Sequence, residues 1–278
     1  MILGWLVEIQ NAGYLIWDDI MDGSETRRGQ PCWYRREEIG LMSINDGCLL
    51  ASTVFIILKT HFKDHPAYHD FVDVFRETGL QIEIGQSYDL LTGSPHYGGL
   101  CQFTREKYEF IIERKTAFYT SYTPMILPLV YLQLATPTNL KEVYKVALSL
   151  GQYYQVRNDY LDVYGDPKQT GKAGTDIQEN KLTWLILEAL DRCNEEQREI
   201  LEAFYGSQDD HEVAKVLGVF NKLNLKDAFE EWKNEKIAST RNMIENVDES
   251  EGLKREVFNV FLAKLDGDSM RKVGVAVN

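Results

Sequence analysis

Apolar side chains recur at helical spacing through most of the chain. Residues 2–22 carry one such stripe. Residues 45–62, "NDGCLLASTVFIILKTHF", are mostly apolar, with "SIND" as the start signal. Long periodic segments cover 67–92 and 104–133, and Pro124 and Pro128 predict a kink or break in the second. Further periodic stretches lie at 139–164, 178–193, 194–205, 210–221 and 225–246. Loops are predicted at 23–44, 93–103, 134–138, 164–176 and 247–252, where turn-forming residues gather. No alternating run of useful length predicts a β-strand. The pattern predicts an all-α fold, an antiparallel helix bundle around one central space, as a single domain over residues 1–278.

The formal net charge of −13 argues against a nucleic-acid partner, which needs a basic face. It leaves room for an anionic substrate held by metal ions or a local basic cluster. Cys32, Cys48, Cys101 and Cys193 lie far apart without a CxxC spacing, which predicts reduced thiols in a cytoplasmic protein. His61, His65 and His69 have i, i+4, i+8 spacing, but Pro66 breaks the helix that a zinc site there would need. The opening "MILGWLVEIQNAGYLIW" lacks the basic start of a signal peptide, and Glu8, Gln10 and Asn11 interrupt it as a membrane span. It reads as a core helix that begins abruptly. The sequence therefore predicts that N-terminal helices are missing, and leaves a targeting segment ahead of them open.

Chemistry concentrates in two acidic segments. "WDDIMDGSETRRG" carries Asp18, Asp19 and Asp22, and Asp18 and Asp22 share a helix face. "GQYYQVRNDYLDVYGDP" repeats the rhythm as Asn158, Asp159 and Asp162, with one carboxylate replaced by an amide. A lone DxxD is usually a solvated helix face. Three acids directly after an apolar run repel one another unless a cation sits between them. Mg²⁺ is the natural partner, with Mn²⁺ as the other candidate, because hard cations take a few carboxylate oxygens and complete their shell with water and phosphates. Arg27, Arg28, Lys115, Lys172 and Lys181 are spread through the chain, and lone basic residues of this kind are usually surface solubilisers. Together with Thr116, Tyr119 and Gln155, they describe a metal-loaded, diphosphate-sized site with basic walls.

The blocks "DDIMDGSETRRGQPCWYR", "QIEIGQSYDLL", "YEFIIERKTAFYTSY" and "GQYYQVRNDYLDVYGDPKQTGKAGTDIQENKLTWL" resemble the farnesyl diphosphate synthase family of trans-isoprenyl diphosphate synthases, in order and from residue 2 to about 265. The resemblance implies an isoprenoid synthase fold and a homodimer. It implies magnesium-dependent ionisation of an allylic diphosphate, followed by attack of isopentenyl diphosphate on the allylic cation. It assigns Asp18, Asp19 and Asp22 to metal, and Asp159 and Asp162, with Asn158, to the second metal motif. Arg27, Lys115, Lys172 and Lys181 would hold the allylic diphosphate, and Arg28 would contact isopentenyl diphosphate. Thr116, Tyr119 and Gln155, beside Lys115, would line the reacting centre. Gly13 and Tyr14, the residues five and four before Asp18, would set product length, with Tyr14 blocking tails beyond fifteen carbons and Gly13 opening some room.

Three features depart from the family. Its N-terminal helices and their Lys-x-x-Arg element are absent. Asn158 stands where the family has Asp. The basic C-terminus is replaced by "DGDSMRKVGVAVN", with Arg271 and Lys272 out of register. These departures leave two readings of Asn158: a tolerated substitution in a prenyltransferase, or a switch to a terpene synthase that ionises geranyl or farnesyl diphosphate without condensing it. A non-catalytic homologue that binds prenyl diphosphates is a third reading, which the intact "DDIMD" opposes.

Overall fold

The structure, a computed structural model, describes residues 1–171 and 174–266. It is built almost wholly of helices: α1 (Ile2–Met21), α2 (Ser43–Phe62), α3 (Tyr68–Gly93), α4 (Arg105–Ile111), α5 (Thr123–Tyr131), α6 (Pro137–Tyr164), α7 (Pro167–Thr170), α8 (Trp184–Arg192), α9 (Glu195–Phe204), α10 (Asp210–Lys222), α11 (Leu225–Glu245) and α12 (Glu256–Asp266). An eleven-residue π-helical segment, Ile112–Tyr122, joins α4 to α5.

Where a break at the prolines is predicted, the chain instead widens its register upstream of them. Pro124 has no N–H to give and its ring crowds the carbonyl four residues back. The Thr123 hydroxyl donates to the Phe118 carbonyl at 2.8 Å, five residues back, as the looser π register allows. Pro124 then stands in the first turn of α5, and Pro128 lies inside it. The π segment is held by close backbone approach on two sides, α3 at Gly85 and α6 at Gly151, where any side chain would collide.

Other boundaries differ from the periodicity. Residues 176–180 form turns, with Asn180 in the left-handed region. α8 starts only at Trp184, because the Thr183 hydroxyl caps it by accepting from Ile186 N at 3.3 Å. α12 is a helix the periodicity did not predict; its Phe258 and Leu262, four apart, are buried on one face. The predicted loop 23–44 contains a two-stranded hairpin, Thr26–Arg27 against Gln30–Pro31. Its turn residues Arg28 and Gly29 both have positive φ, as a two-residue hairpin turn requires.

The apolar interior falls into three clusters. One lies under α8, α10 and α11, around Leu185, Ile186 and Phe220. A second joins α5, α6 and α12 around Leu150 and Phe258. A third joins α1, α2 and α3 around Leu6, Leu58 and Phe71. The first cluster, through Tyr108, Ile111 and Leu182, borders a cavity in the C-terminal halves of α1, α3 and α6, where the acidic segments sit.

Candidate active site

The cavity has a volume of about 640 Å³ and is walled by α1, α3, the π segment, α6 and the stretch before α8. α1 contributes Asp18 from its last turn and Asp22 as its C-cap, with Tyr14 one turn below Asp18. The π segment contributes Lys115, Thr116 and Tyr119, and α6 contributes Gln155, Asn158 and Asp159. Arg27 and Lys181 complete the polar rim. Residues as distant as Asp18 and Lys181, 163 positions apart in the sequence, thus converge on one space.

The acids and bases are already paired. The Arg27 guanidinium grips Asp19 through Nε at 2.9 Å and Nη2 at 2.7 Å, and reaches Asp18 Oδ2 at 3.1 Å. Lys115 Nζ lies 3.3 Å from Asp18 Oδ1 and 2.7 Å from Asp89 Oδ2. Lys181 Nζ lies 2.9 Å from Asp22 Oδ1 and 3.0 Å from the same Asp89 oxygen. Burial alone would raise the Asp18 carboxyl, but Lys115, Lys181 and Arg27 outweigh it and hold it below the usual range. Asp22 is pushed up, first by burial and then by the neighbouring charge of Asp18. Burial would lower Lys115, but Asp18 and Asp89 outweigh it and hold its ammonium well above the ordinary value.

A second network runs through α6. The Thr116 hydroxyl donates to Gln155 Oε1 at 2.6 Å, and Gln155 Nε2 donates to Asp159 Oδ1 at 2.7 Å. Asp159 also accepts from the Tyr108 hydroxyl and, at 2.9 Å, from Trp184 N. It is 1% exposed, and burial pushes its carboxyl up to about 6 against the pull of those donors. Three donors of the protein itself thus already bind its two oxygens. Asp162 Oδ1 accepts from Asp176 N at 2.9 Å and lies outside the cavity lining. Of Asn158, Asp159 and Asp162, the first two line the cavity, and Asn158 does so without a carboxylate.

Several predicted residues sit differently from the expectation. Asp19 is 3% exposed and faces Arg27 rather than the cavity, so burial and that ion pair make it a structural anchor in this arrangement. Arg28 is exposed at the hairpin turn, where Gly29 N donates to Gly171 O at 2.8 Å, and it does not line the cavity. Gly13 faces α2: a Cβ on it would stand 3.1 Å from the Gly47 carbonyl oxygen, so it permits helix packing there and opens no room in the cavity. Lys172, Arg271 and Lys272 lie outside the described residues. Sequence reading missed Gln86, which donates to Asp18 Oδ1 at 3.1 Å, together with Asp89 and Tyr108. Gln86 and Asp89 are three apart on α3 and share a helix face, a spacing too common to single them out in the sequence.

Among the described residues no three acidic, histidine or cysteine side chains form a ready metal cage. The donors present still fit Mg²⁺. It is bound through one or two carboxylates plus substrate phosphates, and Asp18 and Asp22 line one cavity with two ammonium groups standing in for cation charge.

Comparison with known proteins places this geometry. The polyprenyl synthetase family profile matches residues 1–223. The chain is 44% identical over 264 residues to a farnesyl pyrophosphate synthase of Schizosaccharomyces pombe, covering 95% of this chain and 76% of that protein. It is 40% identical over 264 residues to the farnesyl pyrophosphate synthase of Saccharomyces cerevisiae, covering 95% and 75%. Among solved structures, the Trypanosoma brucei farnesyl diphosphate synthase complexed with risedronate superposes with a TM-score of 0.85 at 29% identity, covering 96% of this chain and 77% of that one.

Proposed function

The chain belongs to the polyprenyl synthetase family, and we propose that it is a trans-prenyltransferase joining dimethylallyl or geranyl diphosphate to isopentenyl diphosphate to make farnesyl diphosphate. The observation that carries the reading is the cavity itself. Asp18, Asp22, Arg27, Lys115 and Lys181 line it together with the apolar side chains of Leu15, Ile82 and Ile111, the ring of Tyr14 and polar groups such as Gln86 and Asn158. A substrate with a charged head and an apolar tail would find partners there for both.

Asp18 and Asp22 would hold Mg²⁺, with Asn158 offering one carbonyl oxygen from the opposite wall. Bound there, the ion supplies charge that stabilises a departing diphosphate. Lys115, Lys181 and Arg27 would bind the phosphate oxygens and share that developing charge. Thr116, Gln155 and Tyr119 line the wall where the allylic carbon would lie, and burial keeps the Tyr119 phenol protonated, so it meets a cation as a neutral dipole. The apolar walls keep water from the cation until the second substrate reacts.

The homodimer reading has support on the surface. Leu49 and Ile56 of α2 are 57% and 65% exposed and seven residues apart, hence on one face, and Leu80, Ile84 and Leu91 form a second exposed apolar row on α3. α2, with its preceding turn, is also the one described helix long and apolar enough to cross a membrane. Its packing against α1 and α3 favours a protein partner. The four cysteines are free thiols.

The test is incubation with Mg²⁺ and geranyl diphosphate, with and without isopentenyl diphosphate, read by mass after phosphatase treatment. Farnesol that requires both substrates is the expected result. Hydrocarbons from geranyl diphosphate alone would mean a terpene synthase. No turnover together with retained pyrophosphate binding would mean a non-catalytic binder.

A further inference from the structure

Asp89 is 6% exposed on α3, and one of its oxygens accepts from both Lys115 and Lys181. These lysines come from separate elements, the π segment and the stretch before α8. Each also reaches one acid of α1: Lys115 to Asp18 at 3.3 Å and Lys181 to Asp22 at 2.9 Å. Asp89 is therefore the shared partner of two cations that would otherwise repel each other. Burial would raise its carboxyl, but the two ammonium groups outweigh burial and hold it ionised far below the usual range.

We propose that Asp89 is a positioning residue that keeps Lys115 and Lys181 aimed at the diphosphate while Asp18 and Asp22 exchange lysine for the divalent cation. The inference rests on the diphosphate reading above. When a cation takes Asp18 and Asp22, both lysines lose a partner. An untethered lysine regains its rotamer freedom, which a diphosphate would have to remove again. Tethered to Asp89, each ammonium spends one donor on the anchor and keeps two for phosphate oxygens.

The sign of the effect separates positioning from simple charge. A carboxylate beside a diphosphate repels it, so removing that charge should tighten binding if charge were all that Asp89 supplied. Removing the anchor should weaken binding if Asp89 positions the lysines. The experiment is calorimetric titration of the full chain with inorganic pyrophosphate in excess Mg²⁺, for the wild type, Asp89→Asn and Asp89→Glu.

The expected order of affinity is wild type, then Asp89→Glu, then Asp89→Asn. The last should be weakened about tenfold or more with an unchanged circular dichroism spectrum, and its allylic-diphosphate KM should rise more than kcat falls. Pyrophosphate affinity in Asp89→Asn equal to or tighter than wild type overturns the proposal. If Asp89→Asn does not fold, Asp89→Glu carries the test: its carboxylate is displaced by one methylene, and wild-type affinity there overturns the proposal. A wild type that binds no pyrophosphate with Mg²⁺ overturns the diphosphate reading beneath it, which is a different result.

Discussion

Gly85 of α3 lies so close to Lys115 that a Cβ built on it would stand 2.3 Å from the Lys115 backbone nitrogen and 2.8 Å from the carbonyl carbon of Arg114. Those atoms are backbone, so no side chain can swing aside. The π segment owes its place to this approach, and with it the aim of Lys115 and Thr116. Gly85→Ala should cost about 1–3 kcal/mol of stability, the usual range for overpacking, and should raise the allylic-diphosphate KM. Thermal melts and steady-state kinetics check both. At Gly151 a new Cβ would meet the Ala117 Cβ at 2.3 Å and the Ala117 Cα at 2.6 Å, and only the first of these is removed by a glycine at 117. Ala117→Gly should therefore partly rescue Gly151→Ala, and no side-chain substitution should rescue Gly85→Ala.

Asp18 and Asp22 neutralise two lysines as the protein stands and would carry the cation during turnover. Replacing both with Ala should lower turnover by about a hundred- to a thousandfold or more, in line with losing a main electrostatic element of a transition state. The circular dichroism spectrum should stay that of the wild type, because both residues line a cavity rather than fill a core. Wild-type turnover in that variant would remove the metal assignment.

Tyr14 lies one turn below Asp18, and its hydroxyl sits 2.8 Å from where a Gly79 side chain would begin. The ring therefore crosses the space beneath the diphosphate head and touches α3 on the far side. Tyr14→Ala should let the chain grow, with products longer than farnesyl diphosphate appearing after phosphatase treatment and mass analysis. An unchanged product length would place the limit at another residue.

The acid limb of stability should reveal Asp89. Its folded pKa is held below the ordinary 3.8 by Lys115 and Lys181 against burial. Such a group binds fewer protons folded than unfolded, so its contribution is present above about pH 4 and is lost as pH falls below that value. Asp89→Asn should be less stable than wild type at pH 7 by about 1–3 kcal/mol, the cost of unsatisfied buried partners. The gap should narrow below pH 4, as urea denaturation at pH 7 and pH 3.5 would show.

How far the sequence reaches depends on the scale of the interaction. Helical periodicity reports which face of a segment is buried, so α1, α2, α3, α6 and α11 were legible to within a few residues. It does not report which hydrogen-bond register satisfies a proline, so the π segment was read as a kinked α-helix. Residues that carry charge in a recognisable rhythm, such as Asp18, Asp22 and Lys115, could be nominated from spacing and resemblance. Pairings between distant elements could not. Asp89 has no acidic neighbour within three positions to mark it, and its importance appears only when Lys115 and Lys181 arrive from 26 and 92 positions away. Arg28 and Gly13 lie outside the cavity lining for the converse reason: each sits beside a motif in sequence, but Arg28 stands on a hairpin turn and Gly13 at a helix contact.

Asn158 gives the second acidic segment its one departure, and the geometry says what that departure costs. Asp159 is occupied by Tyr108, Gln155 and Trp184 N, and Asp162 accepts from Asp176 N. Asp159 lines the cavity but already accepts three hydrogen bonds, and Asp162 lies outside the lining, so Asn158 brings the α6 wall a neutral carbonyl oxygen where a further carboxylate would add charge. Asn158→Asp would add a charge among Asp159, Asp162 and Asp176. Without metal the new carboxylate meets like charges, so the variant should melt below the wild type. With Mg²⁺ and pyrophosphate the order should reverse. The Mg²⁺ concentration for half-saturation should fall about three- to tenfold, corresponding to about 0.7–1.4 kcal/mol of added attraction, and farnesyl diphosphate should remain the product. Melting curves with and without Mg²⁺ and pyrophosphate read the reversal directly. If the two proteins melt alike under both conditions, position 158 does not face the cation, and the α6 wall serves the apolar tail instead.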